Sequence, residues 1–303
     1  MSGLRVLVDR GPVYNQGFEL PRTITHMRFG ISTHLYHDQR LSRAHLAQIA
    51  EYGFEAVEVF ATRSHFDYHE ASVIAQLGGW LQETGLALHG IHAPITDRLL
   101  PGDQWGDVIS NAVSDNGKRQ AAVQEAHAAL EIARRIPAEV FVVHLGTPTV
   151  QGGENNRAAA LRSVEEICRL AEPIGIRVAL EVIPNPLSDA ASLVALLERD
   201  LEAPRTGICF DFGHAFLMGD VADAIETVAE HLIATHVHDN AGKKDDHLVP
   251  FNGRINWNMA LMALQKVGYD GTCLMELANT SSPAEVLEKA RAARTRFEKL
   301  LTY

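Results

Sequence analysis

Short apolar runs alternate with amphipathic helical patterns from residue 28 to the end of the sequence. An apolar run of strand length is typical of a parallel strand that is buried on both faces. Eight such runs can be recognised. They predict strands at 29–32, 56–60, 86–92, 140–145, 176–182, 207–212, 234–238 and 271–277.

Each predicted strand is followed by a pattern typical of a helix. The predicted helices cover 42–52, 68–84, 118–135, 155–173, 189–201, 220–230, 257–267 and 283–300. Ser42, Asp189 and Asp220 stand at helix starts, where a short polar side chain can cap free backbone N–H groups. Glycines follow several helices, where a left-handed residue ends the helix well. These C-cap glycines are Gly53, Gly85, Gly175 and Gly268.

Eight strand–helix units in series predict an α/β fold, a (β/α)₈ TIM barrel that forms a single domain over residues 28–303. The chain has 303 residues, which suits a barrel of roughly 250 residues with extensions. Residues 1–27 contain glycine and proline but no helical or alternating period. We therefore expect them to form an N-terminal leader or arm.

Composition and charge narrow the functional classes. The formal net charge of -11 gives an acidic average surface, so a nucleic-acid partner is not expected. Three isolated cysteines predict buried thiols in a reducing compartment. No apolar run reaches membrane-spanning length, and the expectation is a cytoplasmic protein without a membrane partner. Neither a Walker loop nor a dinucleotide-binding fingerprint occurs, so no nucleotide cofactor is expected.

Polar residues stand at or just beyond the C-terminal ends of most predicted strands. A buried polar side chain needs a partner, and a shared metal ion supplies one for several side chains at once. In a barrel these strand ends meet at one face. The residues concerned are His92, His144, Glu181, Asp211, His214, His236, Asp245, His247 and Glu276.

Nitrogen and carboxylate ligands without sulfur suit a divalent metal ion such as Mn, Co, Mg, Fe or Zn. We predict that Glu181, Asp211, His236 and Glu276 form a metal-binding quartet. The five others, His92, His144, His214, Asp245 and His247, are candidates for binding additional metals. A single histidine at a strand end is more often an ordinary hydrogen-bonded residue. Nine such residues in consecutive units favour the metal site.

Four further residues are candidates for substrate contacts. Glu58, near the end of the second strand, either binds substrate hydroxyls or forms a salt bridge. Phe66 lies in a segment of mixed aromatic and polar residues, typical of a sugar pocket or of an ordinary helix start. Trp105, in a long loop, either stacks on a sugar or packs on the barrel rim. His238 shares a strand face with His236, and core packing is the equal alternative.

Several short motifs match one known group of proteins. They are His-Ala-Pro at 92–94, Val-His-Leu-Gly at 143–146, Leu-Glu-Val at 180–182, Asp-Phe-Gly-His at 211–214, His-Val-His-Asp at 236–239, Asp-Asp-His at 245–247 and Met-Glu-Leu at 275–277. Through these motifs the chain resembles the xylose isomerase-like TIM-barrel superfamily over about residues 28–300. That superfamily holds sugar and sugar-phosphate isomerases and epimerases, and endonuclease IV-type AP endonucleases.

Resemblance to the ketose 3-epimerase branch implies one divalent ion held by the quartet. Glu181 and Glu276 would then flank the substrate carbon as a catalytic acid/base pair, and His214 would orient the substrate oxygens. A metal ion that polarises a sugar carbonyl lowers the cost of an enediolate, from which opposed carboxylates can remove and return a proton. Members of this branch often carry another acid past Glu181. This chain reads Ile-Pro-Asn-Pro-Leu-Ser there.

Resemblance to the AP-endonuclease branch implies that all nine residues bind three zinc ions that hydrolyse a phosphodiester. Asp245 and His247 have the Asp-x-His spacing of that branch. The chain lacks the branch's cysteine after Asp211 and its Asn-Asp in the seventh-strand loop. The expected function is therefore a metal-dependent isomerase or epimerase of a sugar or sugar phosphate. The alternative is a multinuclear phosphodiester hydrolase. The expected partners are a small carbohydrate-like substrate and further copies of the chain in a homo-oligomer.

Overall fold

In this computed structural model the chain folds into a closed parallel barrel surrounded by helices. The structure describes residues 27–100 and 104–301, with side chains for 27–98 and 106–301. Within this part of the chain, the barrel strands are β1 (Arg28–Ser32), β2 (Ala56–Phe60), β3 (Ala87–His92), β4 (Val140–Val143), β5 (Arg177–Glu181), β6 (Thr206–Asp211), β7 (Leu232–Val237) and β8 (Thr272–Met275). Their order around the barrel is their order in the chain, and β1 closes the ring by pairing with β8.

The helices pack outside the barrel. Over the described ranges they are α1 (Arg43–Glu51), α2 (Ala71–Thr84), α3 (Asn116–Arg135), α4 (Arg157–Ala171), α5 (Ala190–Arg199), α6 (Phe212–Met218), α7 (Val221–Val228), α8 (Trp257–Lys266) and α9 (Pro283–Leu301). The predicted α/β TIM barrel is confirmed. Along the residues that the structure describes, no helix is long and apolar enough to cross a membrane.

Alternation along each strand separates two layers of buried side chains. In β4, Phe141 and Val143 belong to the large apolar core that includes the surrounding helices. Val140 and Val142 belong to a second, small cluster with strand residues only. That small cluster has little apolar volume. Its neighbours on the strands include buried polar residues, among them Glu58 and Glu181, each 0% exposed.

The element boundaries differ from the sequence prediction in two instructive places. A short helix, α6, follows β6 directly, because Asp211 caps it by accepting a hydrogen bond from His214 N at 2.7 Å. The loop after β3 contains a small antiparallel pair, Leu99–Leu100 with Gln104–Trp105. Ser42 stands at the N-cap position of α1 as predicted, but its side chain makes no capping hydrogen bond.

Other predicted helix ends are confirmed. Asp189 and Asp220 cap α5 and α7 through Ser192 N and Asp223 N. Gly85 ends α2 with a φ of 73°, a left-handed conformation that favours glycine. Residues 1–26 lie outside the described part of the chain, so the proposed N-terminal leader or arm stays a prediction.

Candidate metal centre

The C-terminal mouth of the barrel gathers acidic and imidazole side chains from most strands. His92, Glu181 and Asp211 are the last residues of β3, β5 and β6, and His236 is the penultimate residue of β7. His144 and Glu276 directly follow β4 and β8. Parallel strands of a closed barrel all end at the same face, so residues distant in sequence meet there.

The predicted quartet forms one compact group. One ligand atom from each of Glu181, Asp211, His236 and Glu276 can be chosen so that all four lie within 4.8 Å of one another. His236 Nδ1 lies 3.0 Å from Glu181 Oε1 and 3.5 Å from Glu276 Oε2. All four side chains are buried, the most exposed being Glu276 at 3%. Such a concentration of buried acids requires compensating positive charge.

Two more histidines approach the other oxygen of Glu181. His92 Nε2 lies 3.2 Å from Glu181 Oε2, and His144 Nε2 lies 3.0 Å from the same atom. The second contact has no hydrogen-bonding geometry, and His144 Nε2 is a buried atom without a hydrogen-bond partner. A buried imidazole nitrogen without a hydrogen bond, close to a carboxylate oxygen, is what a cation between the two would satisfy.

A second group lies beside the quartet. Asp245 Oδ2 is 2.9 Å from His214 Nε2 and 3.0 Å from His247 Nε2. Together with His238, these residues offer ligand atoms that all lie within 4.8 Å of one another. The ring of His238 stacks on that of His247, with 4.0 Å between ring centroids.

The loop after β7 positions this second group. Asp239 pairs with Leu248 through two backbone hydrogen bonds of 2.8 Å, so the segment between them forms a closed loop. The buried Asp239 side chain also accepts a hydrogen bond from Trp257 Nε1 at 2.8 Å, which ties the loop to α8. Within the loop, His247 has a φ of 45°. A non-glycine residue held in this left-handed region is typical of functional loops.

Charge interactions at the mouth shift several pKa values. Burial disfavours the charged form of Glu181, but His236 and His144 outweigh burial and hold the pKa of this carboxyl well below its usual range. Burial likewise disfavours a charged His247, yet the Asp245 carboxylate raises its pKa to about 10. In both cases the attraction between a carboxylate and an imidazole outweighs the effect of burial. The lowered pKa keeps the Glu181 carboxylate ionised, and this charge needs positive charge beside it, from protonated imidazoles or from a metal ion.

The donor set fits a divalent metal ion. It combines carboxylate oxygens and imidazole nitrogens, the ligands used by Mn, Co, Fe and Zn in proteins. The histidines are also fixed by partners on their other ring nitrogens, which orients them as ligands. His214 Nδ1 hydrogen-bonds with Val182 O at 3.0 Å, and His247 Nδ1 hydrogen-bonds with Glu276 O at 3.0 Å.

A cavity of about 610 Å³ opens over these groups. Among the predicted metal ligands, six line it: His92, His144, His214, Asp245, His247 and Glu276. Glu181, Asp211 and His236 are at most 1% exposed and do not line the cavity. Apolar side chains, including Phe60 and Ile109, complete its wall. A concave, partly apolar site with converging polar groups is typical of small-molecule sites.

Three predicted substrate contacts do not line this cavity. Glu58 is 0% exposed, and its Oε2 lies 3.1 Å from His236 Nε2, so it supports a quartet residue from behind. Phe66 is 1% exposed and packs in the apolar core. His238 is 0% exposed and hydrogen-bonds with Asp211 at 3.0 Å. The Trp105 side chain lies outside the described part of the chain.

The structure adds residues that sequence reasoning missed. His34, His37 and Asp38 follow β1 and line the cavity. The His34 ring stacks on His247, with 5.0 Å between ring centroids, so the first strand contributes to the mouth as the others do. A signal was available for His34, because it stands two residues beyond the end of the first predicted strand, where polar residues also follow the other strands.

Comparison with known proteins identifies a matching family and several relatives. Residues 46–298 match the model of a protein family described as xylose isomerase-like TIM barrel. A protein from Methanocaldococcus jannaschii, named uncharacterized protein MJ1311, is 27% identical over 279 residues, which cover 84% of this chain and 84% of that protein. The fructoselysine 3-epimerase of Escherichia coli O157:H7 is 24% identical over 87% of this chain and 95% of its own length.

A solved structure resembles the whole barrel. The crystal structure of a D-tagatose 3-epimerase-like protein has a TM-score of 0.75 and 26% sequence identity. The match covers 91% of this chain and 98% of that one.

Proposed function

The chain belongs to the xylose isomerase-like TIM-barrel family, and on that premise we propose that it is a divalent-metal-dependent isomerase or epimerase of a sugar. The observation that carries the proposal is the quartet at the barrel mouth. It includes two glutamates from different strand ends, and its four ligand atoms lie within 4.8 Å of one another. Relatives named as a fructoselysine 3-epimerase and as a D-tagatose 3-epimerase-like protein support the reaction class.

Glu181, Asp211, His236 and Glu276 would hold the ion. When bound, a divalent ion polarises a sugar carbonyl and makes the neighbouring C–H more acidic. The Glu58 carboxylate contacts Nε2 of His236 and so orients the ring. The Asp211 carboxylate accepts a hydrogen bond from His214 N and hydrogen-bonds with His238. These contacts hold the quartet in place before substrate arrives, which is how positioning contributes to rate.

Glu276, which lines the cavity, and Glu181, which lies buried beneath it, would move the proton. One carboxylate takes the proton from the carbon beside the carbonyl, and the electron pair passes to the carbonyl oxygen to give the enediolate of the sugar. The other glutamate, in its acid form, returns a proton to carbon, and the carbonyl reforms. Proton return to the opposite face inverts that carbon. Return to the neighbouring carbonyl carbon moves the carbonyl instead, and the hydroxyl proton of the first carbon then passes to the former carbonyl oxygen.

Incorporation of solvent hydrogen tests this route. The protein, loaded in turn with Mn, Co, Mg and Zn, is incubated in deuterated water with D-fructose, D-tagatose and N-substituted aminodeoxyketoses. We expect deuterium at the carbon beside the carbonyl of the recovered sugar, measured by NMR. Glu276→Gln should slow the exchange by about 10²–10⁴-fold, because it removes one member of the acid/base pair.

Glu125→Gln is the matched control. Glu125 lies outside the barrel, where it accepts a hydrogen bond from the Tyr68 hydroxyl and hydrogen-bonds with His69. This variant should exchange at the wild-type rate. Absence of exchange with every sugar and metal, or full activity of Glu276→Gln, would contradict the proposal.

A second candidate function is a multinuclear phosphodiester hydrolase. The observation that favours it is the second group of ligand atoms, from His214, His238, Asp245 and His247, beside the quartet. Two neighbouring metal ions can stabilise both the attacking and the leaving oxygen of a phosphoester. The exchange experiment separates the candidates, since phosphodiester hydrolysis leaves carbon-bound hydrogen in place.

A further inference from the structure

A second cavity adjoins the mouth of the barrel. This open side groove of about 770 Å³ lies between α3 with the loop before it and the loop after β4. Four residues line both cavities: Val108, Ile109, Thr147 and Gln151. The mouth alone, at about 610 Å³, already has the size of a pocket for a whole small ligand. The side groove is therefore additional space that is continuous with the candidate active site.

An apolar side chain is exposed where the two cavities meet. Val108, which lines both cavities, is 56% exposed. Farther along, Val113 and Ala121 line the groove. Single exposed apolar residues are ordinary, but a series that leads away from a polar site is typical of a ligand-binding surface.

The loop after β4 holds the floor of the groove in place. Thr147 N donates a hydrogen bond to Asn155 Oδ1 at 2.9 Å, and Thr147 Oγ1 donates to Gly152 O at 3.0 Å. Gly152 and Gly153 have φ values of 70° and 106°, conformations that favour glycine. A Cβ added at Gly152 would meet nothing within 4 Å, so the backbone there faces open space. These contacts fix the loop that forms one wall of the groove.

Carboxylates along the side groove disfavour a phosphate group there, whereas the mouth also has imidazoles such as His247 in its lining. Asp38 and Asp246 line the mouth, and Asp107, Asp115 and Glu154 line the side groove. Among the described residues that line the two cavities, Lys118 is the one lysine or arginine. Recognition of a phosphate usually employs arginine or lysine. A neutral or cationic substituent meets no such mismatch.

We propose that the substrate is an unphosphorylated sugar conjugate, whose sugar lies at the metal centre and whose second, partly apolar group lies in the side groove. This inference rests on the proposed function and specifies its substrate class. A secondary amine that joins the two parts would suit the acidic lining. The appended group would contact Val108 and the shared wall, adding binding energy that a free ketose cannot provide.

Filling the groove tests the inference. Ala121 is exposed on α3, lines the side groove and does not line the mouth. Ala121→Trp should lower kcat/KM for 1-benzylamino-1-deoxy-D-fructose by about tenfold or more and leave kcat/KM for D-fructose unchanged, because steric blockage acts only on the appended group. Deuterium exchange or epimer formation by NMR gives both rates. Ala75→Trp, at an exposed position of α2, is the matched control and should change neither.

The outcomes distinguish the inference from the proposed function. Wild-type protein that processes D-fructose or D-fructose 6-phosphate as well as the conjugate would overturn the inference and leave the proposed function standing. An Ala121→Trp variant with an unchanged ratio between conjugate and D-fructose would overturn it too. Wild-type protein that processes none of the three sugars would overturn the inference together with the function on which it rests.

Discussion

Glu58 lies directly behind a predicted metal ligand, and its contacts define its role. Its Oε2 is 3.1 Å from His236 Nε2, while Ser32 Oγ donates to its Oε1 at 3.1 Å. A carboxylate behind a histidine ligand fixes the ring orientation and raises its basicity. These contacts agree with the salt-bridge alternative of the sequence analysis, and we propose that Glu58 is a positioning residue for His236.

Glu58→Gln should weaken the affinity for divalent metal by about 10–100-fold. The amide is neutral, so it holds the His236 ring less firmly and does not raise its basicity. Titration with Mn or Zn, followed by isothermal calorimetry, measures the change. Far-UV circular dichroism establishes that the variant is folded. Glu125→Gln, which alters a carboxylate outside the barrel, should bind metal like the wild type. Equal affinities for Glu58→Gln and wild type would refute the role.

The start of α6 packs so closely against the His238 ring that it requires glycine at position 213. A Cβ added at Gly213 would lie 2.0 Å from His238 Cε1. Because His238 is 0% exposed and hydrogen-bonds with Asp211, its ring cannot swing into solvent to make room. The element that carries Asp211 and His214 thus depends on one missing side chain.

Gly213→Ala should destabilise the protein by about 1–3 kcal/mol, the usual cost of overpacking a filled core. The shift of the urea unfolding midpoint, followed by circular dichroism, measures the effect. Gly79→Ala is the matched control, since a Cβ at this position of α2 meets nothing within 4 Å. That variant should gain about 0.5–1 kcal/mol, because alanine is the better helix former. A Gly213→Ala protein as stable as the wild type would contradict the packing argument.

At the scale of the whole molecule, the barrel was predictable because periodicity and strand length are local properties of the sequence. The gathering of the nine polar residues at one mouth follows from the same rule, since parallel strands end at one face. Which of these residues line the cavity and which lie buried beneath it was not predictable. A register shift between Val57 and Glu58, where β2 pairs with β3, helps set which side chains face the barrel interior. For Phe66 the sequence left a sugar pocket and an ordinary helix start open, because buried and sugar-stacking aromatics look alike in sequence, and the structure places its side chain in the core.

The account depends on a divalent metal ion at the barrel mouth, and the metal content of the purified protein tests this most directly. The chain, incubated with Mn, Co, Mg and Zn and freed of unbound ions by gel filtration, is analysed by plasma mass spectrometry. We predict about one tightly bound ion per chain, lost in an Asp211→Ala variant, as expected if the quartet supplies the ligands. Two or three ions would favour the hydrolase. Wild-type protein that retains none of these metals would contradict the account.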